Sequence, residues 1–165
     1  MWNAEEKLKV RTMVLHYADE LRKKGFPVKP IVGVKFGKRV RTFGTCHHYR
    51  DNTCEITIDY ICYCGGDTRL KQTIIHELCH ACCEIGEGHG RVWKSYAENA
   101  NIIYKDIHIT RCTNYNEAQK AYAKTLYKYT AKCDKCGAIW HYMRKTQFVK
   151  DIEKNHAETW TCKCG

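Results

Sequence analysis

The segment TRLKQTIIHELCHACCE, residues 68–84, most narrows what this chain can become. Its apolar residues recur at helical spacing, and Asp67 or Thr68 is placed to cap it. Inside it lies His76-Glu77-Leu78-Cys79-His80, an H-E-x-x-H pentad. Residues four apart share a helix face, so the two imidazoles can reach one ion. Glu77 then stands beside that ion as a general base. Zinc suits imidazole ligands, keeps an open position for water and substrate, and lowers the pKa of the water that attacks a carbonyl.

A third protein ligand is needed. His89 follows His80 by nine residues, and Gly86, Gly88 and Gly90 around it let the chain turn back sharply. Glu84 and Glu87 are alternatives, since carboxylates also bind zinc, and so is Cys83, seven residues after His76 on the same helical face.

Elsewhere the patterning is mixed. Asn3 and Glu6 form a capping-box pair that opens a helix over 3–24, with Leu8, Met13, Val14, Tyr17 and Leu21 on its apolar face. Gly25 and Pro27 stop it. IVGVKF, VRTFGTC and EITIDYI read as antiparallel strands, the last with Ile56, Ile58 and Tyr60 on one side. Shorter helices are expected over 91–101 and 116–127. From Tyr129 the chain is built around paired cysteines, which divides it into domains over 1–125 and 126–165.

The chain has twelve cysteines in 165 residues. No apolar run approaches the roughly 20 residues a spanning helix needs. The charged opening MWNAEEKLK reads as a helix start and not as an export signal, so we expect a cytosolic protein away from membranes. Cysteines in that reducing setting are read as metal ligands and buried thiols. Cys79, Cys82 and Cys112 are expected in the core. Cys62 and Cys64 are read as reduced thiols at a strand end, or else as half of a further zinc site with Cys46 and Cys54.

RTFGTC, EITIDYI, TIIHELCHACC and GHGRVWK together resemble the SprT family, which includes Spartan, over roughly residues 40–95. Its members carry an arginine-bearing strand ending in W-G-S-C, an I-x-L strand, HExxH on a helix, and GHGxxW. Phe43 stands where the family usually has Trp, keeping an aromatic anchor, and Thr45 replaces Ser, keeping the hydroxyl. The resemblance implies that His76, His80 and His89 are zinc ligands and Glu77 the catalytic base. It also implies a zincin-like α+β fold, a small antiparallel sheet packed on the HExxH helix with further helices around it. The implied activity is proteolysis, with proteins bound or crosslinked to DNA as substrates. The residues alone reach only metal-assisted hydrolysis of a carbonyl. Tyr96, Tyr104 and Arg41 are candidates to stabilise an oxyanion, with nothing to select among them.

In the tail, Cys133-x-x-Cys136-Gly and Cys162-x-Cys164 are expected to hold one structural zinc in a small β ribbon, with His141 or His156 as substitutes for Cys164. The two expected zinc ions thus differ, one catalytic and one structural. Between the knuckles lie Trp140, His141, Tyr142, Arg144, Lys145 and Lys150. Trp140 reads as filling the ribbon's own small core, whereas Arg144 and Lys145 read as phosphate contacts. With a formal charge of +10, the chain suits a polyanionic partner, DNA and single strands above all, beside its protein substrate. Two other readings stay open: a nucleic-acid-binding ribbon module with weak or no catalysis, and a peptidase of ordinary soluble proteins. Oligomeric state is not legible.

Overall fold

The computed structural model describes residues 2–154 and 160–164, and they divide into two compact units, residues 1–120 and 121–165. The first is a mixed α+β unit. Helix α1, Ala4–Lys23, opens on the expected capping box: Asn3 Oδ1 accepts from Glu6 N and Glu6 Oε2 from Asn3 N, each at 2.8 Å. Its buried stripe is Val10, Val14, Ala18 and Leu21. Leu8, expected on that face, is 65% exposed. It lies two residues before Val10, about 200° round the helix, so joining the stripe would turn Val10 outward.

Strands β1, Ile31–Gly37, β2, Gly44–His48, and β3, Cys54–Asp59, form a sheet in the order β1-β3-β2. The sheet is not antiparallel throughout, as the sequence suggested: β3 pairs antiparallel with β2 but parallel with β1. The cause lies in the connection 38–43. Asp59, fully buried at the end of β3, accepts from Arg39 N at 2.9 Å and Thr42 Oγ1 at 2.9 Å, and Arg39 Nη2 lies 3.0 Å from Oδ2. Asp59 N in turn donates to Phe43 O at 2.8 Å. The connection therefore arches over the end of β3 and holds β1 and β2 about 10 Å apart, leaving room for one strand between them.

Tyr60 does not continue β3. The chain turns after Asp59 into the short helix α2, Tyr60–Cys64, so only Ile56 and Ile58 of the expected trio face the core. Helix α3, Asp67–Ala81, crosses the sheet and is capped by Gly66, not by Asp67 or Thr68. It ends three residues early because Cys82 and Cys83 close its last turn, their thiols donating to Leu78 O and Cys79 O at 3.2 Å each. Helix α4, Arg91–Ile103, completes the core with Trp93, Ala97 and Ala100. Helix α5, Glu117–Thr125, is anchored at its start by the buried Gln119, whose side chain donates to Ile61 O at 3.0 Å. No helix among the described residues is long and apolar enough to cross a membrane.

The second unit pairs β4, Tyr129–Lys132, antiparallel with β5, Ile139–Tyr142, followed by helix α6, Gln147–Glu153, which the sequence did not reveal. Thr146 caps α6 through Val149 N.

Asp59→Ala should cost about 2–4 kcal/mol, the range for orphaning buried donors beside a half-exposed arginine. Urea denaturation measures this; a loss below about 1 kcal/mol would show that the carboxylate does not anchor the connection.

Candidate metal centre

Helix α3 points one face into the core and turns His76, Glu77 and His80 toward its rim. The loop after it brings His89 back, with Gly86 and Gly88 at φ +91° and +55°. His89 Nε2 then lies 3.0 Å from His76 Nε2 and 3.2 Å from His80 Nε2. The other candidates for a third ligand are otherwise engaged. Glu87 Oε1 accepts from Val92 N at 2.9 Å and caps α4, Glu84 is exposed near Lys29, and Cys83 is buried in the core.

Two further contacts fix the rings. Trp93 is buried against all three, with ring centroids 4.8, 5.4 and 4.5 Å from those of His76, His80 and His89. His76 Nδ1 lies 3.1 Å from Thr110 O, so that nitrogen carries the proton and Nε2 presents a lone pair. In the metal-free protein burial pushes His76 down to about 4, helped by the charge of His89. Burial, then His76 and His89, pushes His80 down to about 3. His89 is lowered by burial and by Arg111. Three neutral imidazoles with converging nitrogens fit a borderline-soft divalent ion such as zinc.

Glu77 is buried behind them. A Cβ at Gly44 would sit 3.0 Å from Glu77 Cγ, so only glycine lets β2 approach this closely. Burial pushes the Glu77 carboxyl up to about 8, against a hydrogen bond from the Cys46 backbone and the charge of Arg39. A cleft of about 290 Å³ opens beside it, lined on one side by Arg41, Phe43 and Gly44 and on the other by Arg111, Cys112 and Tyr115. That second wall, and Trp93 as the common backing of three rings, escaped the sequence reading. Nothing in TRCTNY marks it; the segment is held by Asn101, whose side chain bonds Ile109 N at 2.6 Å and Ile109 O at 3.0 Å. Cys112, expected in the core, is exposed on this wall. Of the oxyanion candidates Arg41 lines the cleft, while Tyr104 packs against Tyr17 at 6.0 Å and Tyr96 against Phe26 at 5.7 Å, away from it.

In the second unit Cys133, Cys136, Cys162 and Cys164 come together, with Cys133 Sγ 3.7 Å from Cys164 Sγ and Cys136 Sγ 3.6 Å from Cys162 Sγ. Four thiolates around one zinc stand about 3.8 Å apart. Backbone N–H groups of Cys136 and Lys135 pull the Cys133 thiol down to about 7. His141 stacks on Tyr127 at 4.8 Å instead, and His156 lies outside the described residues. Trp140, expected in the ribbon's core, is 36% exposed, whereas Tyr142, two residues along β5, packs against Phe148 of α6 at 5.4 Å.

A model described as the SprT-like family matches residues 11–113. The germ cell nuclear acidic protein of Drosophila melanogaster is 41% identical over 88 residues, which are 51% of this chain and 8% of that protein. The human protein of that name is 36% identical over 78 residues, 44% of this chain and 10% of that one. The germ cell nuclear acidic-1 protein of Caenorhabditis elegans is 26% identical over 142 residues, 72% of this chain and 26% of that one. The chain thus spans about a tenth or less of the fly and human relatives.

A carboxyl raised on folding stabilises the fold only while protonated; that stability is whole below about 4.5 and is lost as pH rises through about 8. Metal-free Glu77→Gln should therefore melt several degrees above the metal-free wild type near pH 9 and level with it near pH 5. Equal melting at both values would show that the carboxyl is not a buried charge.

Proposed function

Because this chain belongs to the SprT-like family, we propose that it is a zinc-dependent endopeptidase acting on proteins bound or crosslinked to DNA. Family membership makes residues 11–113 a metallopeptidase-like domain. The observation that carries the proposal is the convergence of three neutral imidazole nitrogens beside a buried Glu77 that lines an open cleft.

In this reading His76, His80 and His89 hold the zinc. When bound, the ion supplies Lewis acidity, polarising a carbonyl and acidifying a water. With zinc held there, Glu77 would be favoured in its ionised form and would take the proton of the attacking water and pass it to the leaving amine. Trp93 and the Thr110 carbonyl keep the imidazoles in one orientation and one tautomer through this cycle. The peptide would lie in the cleft, whose lining includes the side-chain cations Arg41 and Arg111 as candidates to stabilise the developing negative charge.

DNA is the partner this proposal assigns to the ribbon, with the Cys133–Cys164 cluster holding a second, structural zinc. Residues 121–165 carry nine Lys and Arg against four Asp and Glu. Trp140, Arg144 and Lys150 are all exposed, a combination that favours stacking on unpaired bases and contact with phosphates. Lys145 contributes less, being paired with Glu153. The relatives' names speak of a nuclear acidic protein of germ cells. For this chain twelve cysteines without a disulfide favour a reducing setting such as the cytosol.

The test is cleavage of a DNA-binding protein with and without single-stranded DNA. Glu77→Gln should lose about 10²–10⁴-fold in turnover while its zinc content matches the wild type. Trp140→Ala and Arg144→Ala should lose the stimulation by DNA but keep the basal rate. Full zinc and tight DNA binding with no cleavage would overturn the peptidase in favour of a binding module. Cleavage indifferent to DNA would instead leave a peptidase of ordinary soluble proteins.

A further inference from the structure

The two strands that approach Glu77 carry a separate group of metal-binding side chains. Cys46 and His48 are two apart on β2 and therefore project from the same face. Cys54 on β3 sits directly opposite His48 in the antiparallel register. The three meet: Cys54 Sγ is 3.3 Å from His48 Nδ1, and Cys46 Sγ is 3.8 Å from His48 Nε2. One ligand atom from each lies within 4.8 Å of the other two. Cys62, read as a reduced thiol or else as a partner of Cys46 and Cys54, stays a buried thiol facing Arg69 O, 3.8 Å away. The grouping that forms is made by β2 and β3 alone.

We propose that Cys46, His48 and Cys54 form a further metal site for a thiophilic d¹⁰ cation, zinc being the ion of choice. Two thiolates and one imidazole nitrogen around zinc stand about 3.5–3.8 Å apart, so ligand atoms already within 4.8 Å of one another have little distance to close. Two thiolates also neutralise a dication. A zinc complex of this composition carries no net charge, so its inner side can rest against the core at Cys54 without stranding one. Cys54 is buried, but Cys46 and His48 are half-buried on the outer strand of the sheet, which gives the ion an entry path. A water or an exogenous thiol fills the fourth position.

The site has a second anchor. His48 lies beside the backbone of His80, in the last turn of α3. An ion here would thus tie β2 to β3 and orient a ring that touches α3, and Cys46 also supplies the backbone N–H that reaches Glu77. The ion's role is to fix the strand that carries the general base's hydrogen-bond donor. It takes no part in the hydrolysis itself.

The decisive experiment uses the full chain purified under reducing conditions. Zinc per chain is measured, and each cysteine's alkylation by iodoacetamide is mapped with and without chelator. The expected result is one zinc for each of the three groups of ligands, with Cys46 and Cys54 alkylated only after chelation. His48→Ala should hold one equivalent fewer and expose both thiols, while Cys133 and Cys136 stay protected and report an intact ribbon. If Cys46 and Cys54 react at the same rate with and without chelator in the wild type, the site does not exist. Recovery of the two joined as a disulfide would equally overturn it. Both of these outcomes are measured on the unmutated chain, so a misfolded variant cannot obscure them.

Discussion

Everything in the first unit depends on the way α3 is shared between the core and the cleft. Eight of its side chains are buried, from Leu70 to Ala81, and Glu77 is among them. The same helical period that seats Ile74, Leu78 and Ala81 in the core sets His76 and His80 side by side on the rim. The site therefore needs no scaffold of its own. It is rigid because the core is rigid, and a change that slid α3 along the sheet would move both imidazoles and the carboxyl together.

Burial of Glu77 is the cost of this economy. A carboxyl on the inner flank of a core helix must be met by something polar. It is met by the Cys46 backbone, which Gly44 allows to come close. Asp59 solves the same problem differently, taking donors from Arg39 and Thr42. The contrast matters chemically. Asp59 is held by an ion pair and neutral donors and organises the chain, whereas Glu77 keeps a raised proton affinity and stays available for proton transfer.

How much of this was legible in the sequence depended on the range of the interaction. The Asn3–Glu6 capping box, the helix that carries the pentad and the glycines before His89 are local, and short patterns report them directly. The parallel pairing of β1 with β3 is not local: it follows from Asp59 holding a connection that begins twenty residues earlier in the chain. The wall of the cleft at Thr110–Tyr115 was invisible for the same reason, since its position comes from the Asn101 side chain and from Arg69 donating to Asn114 O at 2.9 Å. Trp140 misled because a run of aromatics between two cysteine pairs does not tell which of them the ribbon covers: Tyr142 packs on Phe148, and Trp140 stays 36% exposed.

The cysteines separate into environments that composition could not distinguish. Cys79, Cys82 and Cys83 are core thiols whose ionisation burial opposes, pushing Cys82 up to about 12 and Cys83 to about 11. Packed among apolar side chains, such thiols behave as small apolar groups. The ribbon cysteines lack that apolar cover, and Cys133 is drawn the other way by backbone donors. In a unit of about 45 residues with an exposed tryptophan and a two-stranded sheet, little apolar burial is available to hold the fold. Four converging sulfurs are what remains to do so, which is why an ion there would contribute to folding and one at the histidines to chemistry.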